Sequence, residues 1–119
     1  MPPVKPRLRG VLHQWAAVFA LGAGWGLVTL APGARARLAL AAYAASLCAL
    51  FAVSAVYHRF HWTPRVRRWL RRADHAAIFL LIGGTYTPVV LLAFDADTAR
   101  TLLAGTWAGV ALGIGIALF

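Results

Sequence analysis

The chain is 119 residues long, the size of one small domain, but 61% of it is hydrophobic, 13% is charged and its mean hydropathy is +0.72. Those values exclude an ordinary soluble domain and describe an integral membrane protein. The formal charge of +9 collects in the gaps between apolar runs, which argues against a nucleic-acid partner and for a topological role.

Four apolar runs stand out: residues 11–31, 38–58, 73–94 and 101–119. Each has about the 20 residues that a helix rising 1.5 Å per residue needs to cross the hydrocarbon layer. Transmembrane strands are about half as long and alternate polar with apolar residues, a pattern these runs lack. The expected fold class is therefore all-α, an integral membrane helical bundle with four transmembrane helices. With the N-terminus in the cytoplasm, Lys5, Arg7, Arg9, Arg59, Arg65, Arg67, Arg68, Arg71 and Arg72 lie inside, and only Arg35, Arg37 and Arg100 outside. The positive-inside rule thus predicts a multi-pass protein of the plasma membrane with a cytoplasmic N-terminus.

In chain order, residues 1–10 read as a basic cytoplasmic anchor. With Ala34-Arg35-Ala36 they loosely imitate a cleavable signal peptide, but the apolar stretch is longer than a usual signal core and three more spans follow. Gly22, Gly24 and Gly26 mark the first span as a packing surface, and His13 and Gln14 read as a polar pair at its cytoplasmic end. Pro32-Gly33 supplies the outer turn. In the second span Leu47, Phe51, Ser54 and His58 recur at spacings of four, three and four, so they share one helical face. The lone Cys48 reads as a small packing residue.

Thr63-Pro64 looks like an N-cap followed by proline at the first helical position. Val66, Trp69, Leu70 and Ala73 then alternate with five arginines, which predicts an interfacial helix over 64–72 facing anionic inner-leaflet headgroups. Asp74 opens the third span and has two readings: an N-cap at a positive helix end, or an ionisable functional group held in a membrane helix. His75 points about 100° away from it. Pro88, which cannot donate to the carbonyl of Gly84, predicts a kink, with the Thr85 or Thr87 hydroxyl available to freed backbone groups. Asp95, Asp97 and Arg100 form a polar outer turn, and the last span runs to Phe119 without a polar flank, which reads as an interrupted chain.

Ser-x-x-x-His closing one span, a basic connection, and Asp opening the next make a more specific signal than any of these residues alone. Together with the strings SAVYH, RRADHAAIFLLIGGTYTP and RGVLHQW, this constellation resembles the hemolysin III family, the bacterial branch of the progestin and adipoQ receptor family. The resemblance covers nearly the whole chain and implies the first four helices of a seven-helix fold. It also implies a zinc ion near the cytoplasmic side, with His58 as a metal ligand and two further ligands from a His-x-x-x-His motif in the last helix. By the same resemblance Asp74 would hold or deprotonate the zinc-bound water, and Ser54 would support the site or its substrate. No His-x-x-x-His occurs in this sequence.

Two functions follow as expectations. In the first, the full-length parent is a zinc-dependent hydrolase of lipid amides, with Ser54 and Asp74 as catalytic residues and His58 on the metal; the 119-residue chain itself is expected to be inactive. In the second, it is a non-enzymatic helical bundle that permeabilises or binds membranes. Both take membrane lipid as partner, anionic at the arginines.

Overall fold

The computed structural model describes residues 8–119, which form four helices: α1 Val11–Leu30, α2 Gly33–Arg59, α3 Pro64–Ala93 and α4 Ala96–Leu118. Among the described residues there is no strand, and all four helices are long and apolar enough to cross a membrane. Lys5 and Arg7, two of the cations behind the predicted orientation, lie outside the described residues.

Helix starts follow local chemistry. Gly10 and Gly33 adopt φ of 80°, a left-handed conformation that costs glycine little, at the entries to α1 and α2. At α3 the Thr63 hydroxyl accepts the Val66 N–H at 3.4 Å and Pro64 follows as the first helical residue. At α4 the Asp95 carboxylate accepts the N–H groups of Asp97 and Thr98 at 3.1 and 3.0 Å and the Thr98 hydroxyl at 2.7 Å.

The arginine-rich stretch 64–72 and the third span are one uninterrupted helix. No glycine or proline separates Arg72 from Asp74, and the true cap lies upstream at Thr63, so the helix that starts at Pro64 has no reason to stop. Its 30 residues make a rod of about 45 Å. Asp74 is therefore interior to α3, which removes its reading as an N-cap. Pro88 also sits within α3; the Thr87 hydroxyl donates to the carbonyl of Gly83 at 2.7 Å and that of Thr85 to Leu81 at 2.7 Å, so neither reaches Gly84.

The helices pack strictly in sequence order, α1 on α2, α2 on α3 and α3 on α4, and no other pair touches among the described residues. The bundle is an open layer measuring 58 × 32 × 15 Å. Its seams are made of small residues: Ala20, Ala39, Ser46, Ala55, Ala77 and Ala99 are buried, and among the described residues no large side chain is fully enclosed. Lipid is as apolar as leucine, so membrane helices gain little by hiding large side chains and associate through close contact. A Cβ on Gly24 would lie 2.8 Å from that of Ala44, and one on Gly84 would collide with the Ser46 side chain while approaching the Ala42 carbonyl to 3.0 Å. On the α3–α4 seam Gly83 lies under Trp107 and Val110, Gly113 accepts the Phe79 ring, and the Trp107 indole N–H donates to the Thr87 hydroxyl at 3.1 Å. Gly22 and Gly26 meet open space, so only Gly24 of that predicted packing trio is used within the layer.

Two measurements check this architecture. Gly84→Ala forces the α2–α3 seam apart and should cost about 1–3 kcal/mol of unfolding free energy in detergent, whereas Gly22→Ala should stay within about 0.5 kcal/mol. The Asp95 carboxyl is held below its ordinary value of 3.8, first by the Thr98 N–H and then by the Thr98 hydroxyl. A carboxylate with a lowered folded value stabilises the folded form fully above 3.8 and loses that contribution as pH falls through the lowered value. NMR titration should place its midpoint below 3.8, and Thr98→Val should move it upward.

Candidate functional site

The α2–α3 connection, residues 60–63, turns the chain back so that the end of α2 faces the middle of the arginine-rich half of α3. His58 and Ser54 occupy one face of α2, one helical turn apart. Ser54 is only 4% exposed, and His58 and Asp74 are partly exposed beside it. The His58 Nε2 lies 3.9 Å from the Asp74 Oδ2, within ion-pair range but too long for a direct hydrogen bond. The structure thus brings together the three residues that the sequence singles out. The Trp62 indole N–H donates to the Val56 carbonyl at 3.0 Å, satisfying one of the carbonyls that α2 leaves open at its end.

Two further residues join from the other side. Gly10 brings the chain so close to α2 that a Cβ there would lie 2.9 Å from the Cβ of His58. This approach lets the Arg9 Nε–H donate to the His58 Nδ1 at 3.1 Å. One turn along, the His13 Nδ1 is 2.6 Å from the Ser54 hydroxyl, and its ring meets Phe51 edge-on at 5.4 Å. Tyr57 completes the cluster, its ring 4.6 Å from that of His58. His13 belongs to the site although sequence reading takes it as an interfacial polar residue. His75 does not belong: its Nδ1 bonds the Arg71 carbonyl on its own helix at 2.7 Å.

Arginine can only donate, so the His58 Nδ1 must offer its lone pair. The neutral ring then carries its proton on Nε2, the nitrogen facing Asp74, and presents that carboxylate with a donor. The Ser54 hydroxyl and His13 form a second proton-sharing pair one turn away. Chemically the cluster can move protons and orient a polar group at the end of a lipid-embedded layer. It does not fit a metal by itself: among the described residues no three His, Cys, Asp or Glu side chains converge, and zinc sites use at least three protein ligands. With its Nδ1 held by Arg9, His58 also has no lone pair left on Nε2.

The His13–Ser54 bond gives a direct prediction. A double-mutant cycle with His13→Ala and Ser54→Ala, read by unfolding in detergent, should show a coupling of about 1 kcal/mol.

The Haemolysin-III related family model matches residues 2–119. Among curated proteins, Hemolysin-3 of Bacillus cereus is 39% identical over 74 residues, which cover 62% of this chain and 33% of that protein. The matched stretch is thus a third of that relative's length. No solved structure matches the chain. A match running from the basic N-terminal segment through all four helices shows that the chain belongs to the haemolysin-III related family of membrane proteins.

Proposed function

We propose that the chain forms one wall of the site of an integral membrane hydrolase that acts on lipid amides and is zinc-dependent in its complete form. The observation that carries this reading is the 3.9 Å apposition of His58 and Asp74 across the α2–α3 seam, one helical turn from the buried Ser54. Ser54 and Asp74 are the proposed catalytic residues and His58 the proposed metal ligand once Arg9 releases its ring. Because the described residues do not complete a metal site, the remaining ligands come from outside these four helices. The surplus of arginine at this end supports a plasma-membrane orientation with the site on the cytoplasmic side. Metal analysis tests the reading: the 119-residue chain should hold well under one zinc, while a longer protein containing it should hold one that His58→Ala removes. Zinc content unaffected by His58→Ala would sink the proposal.

A second reading has its own support. The layer exposes large apolar side chains along every helix, among them Leu12, Trp25, Leu38, Tyr86 and Ile116, and the Bacillus cereus relative is named Hemolysin-3. Membrane permeabilisation would then be the activity. Leakage from vesicles that persists without zinc and after His58→Ala favours this second function over the hydrolase.

A further inference from the structure

The basic end of the layer holds more positive charge than the chain can neutralise. Its three acids are Asp74, Asp95 and Asp97. Asp74 faces His58, Asp95 caps α4, and Asp97 pairs with Arg100 at 3.6 Å. The last two stand in the turn at the opposite end of α3 from its arginines. Some of the cations have internal uses: Arg9 binds His58, and Arg72 lies over the Trp69 ring at 5.0 Å. Arg67, Arg68 and Arg71 have no carboxylate within ion-pair distance among the described residues. They occupy positions one and four residues apart on the exposed first turns of α3, close enough to act on one ligand.

These three arginines line a pocket of about 520 Å³ together with Tyr57, Trp62 and Pro64. It occupies the crease where the end of α2, the connection and the start of α3 meet. A pocket of that size accommodates a small organic ligand rather than a bare ion. Its composition is divided: guanidinium groups, matched in geometry to phosphate oxygens, and two aromatic rings with a proline, which offer apolar contact. Trp62 is fixed there by its bond to the Val56 carbonyl, so its ring serves as a wall. The N-terminal end of α3, beginning at Pro64, adds the positive end of a helix dipole.

We propose that this crease is a binding site for the phosphate group of an anionic phospholipid, with the guanidinium groups taking the phosphate and Tyr57, Trp62 and Pro64 the glycerol and first acyl carbons. Inorganic phosphate shares the anionic chemistry but leaves the aromatic half of the pocket without a partner. The site is separate from the His58–Asp74 cluster and lies behind it: Tyr57 lines the pocket, and its ring packs against that of His58. It does not depend on the hydrolytic reading.

Native mass spectrometry of the full chain released from nonionic detergent tests the site, with phosphatidylglycerol, phosphatidylcholine and inorganic phosphate as probes. Phosphatidylglycerol should be retained at least about tenfold more tightly than phosphatidylcholine, as charge-assisted bonds to three arginines require. The triple substitution Arg67→Gln, Arg68→Gln and Arg71→Gln should remove that preference, whereas Arg35→Gln with Arg37→Gln, at the other end of α2, should leave it within about twofold. These arginines are exposed, so the triple variant should keep its helical circular dichroism. Unchanged phosphatidylglycerol binding in the triple variant overturns the site. Displacement of the lipid by equimolar inorganic phosphate overturns the lipid as its ligand. Zinc content, measured on the same triple variant in the longer protein, stays constant if the two sites are distinct and separates this failure from that of the hydrolase.

Discussion

The close approach of α2 and α3 governs the rest of the structure. Gly84 admits the Ser46 side chain and the Ala42 carbonyl against its Cα, and the same two helices bury the small residues Ala39, Ala55 and Ala77. Helices held this tightly cannot slide past each other without forcing a Cβ into a neighbouring backbone. The register set in mid-membrane is transmitted along two stiff helices to their ends, and there it determines the height at which His58 meets Asp74. The chemistry at the layer's edge thus rests on glycine and alanine roughly 15 Å away, at 1.5 Å per residue from Gly84 to Asp74.

Much of this was legible in the chain. Four apolar runs of membrane-spanning length give four helices because backbone groups in lipid must be satisfied within each segment. The four-three-four spacing put Ser54 and His58 on one face, and the charge on Asp74 marked it out within an apolar stretch. What could not be read came from tertiary placement. The spacing of His13 along its own span carries no sign that α1 would set it against Ser54. Arg9 looked like one topogenic cation among nine, yet its position after the turn at Gly10 puts it on the His58 ring. The join between residues 64–72 and the third span was hidden by the polarity change at Asp74, which resembles a helix start although the cap at Thr63 already governs the helix.

The Arg9–His58 bond sets a condition on any metal chemistry at this end. An imidazole carrying its proton on Nε2 toward Asp74 has the carboxylate partner that metal-ligating histidines use, but its one free lone pair, on Nδ1, is taken by Arg9. Metal ligation by His58 therefore demands that Arg9 release the ring. The segment before α1 is in this sense part of the site, not only an anchor for orientation, and Gly10 is the residue whose missing side chain makes the contact possible.

The unbroken course of α3 places the arginine turns, Asp74 and the proline-containing half on a single helix. Between Arg67 and Asp74 that helix holds no glycine or proline, so the arginine turns and Asp74 share one stiff segment. A headgroup seated at Arg67, Arg68 and Arg71, as proposed, would fix the depth and tilt of these turns relative to the membrane surface. Asp74, less than one turn beyond Arg71, would then take its position from that lipid as well as from its neighbours in the chain. The composition of the surrounding leaflet would become, through those turns, a mechanical input to the polar cluster.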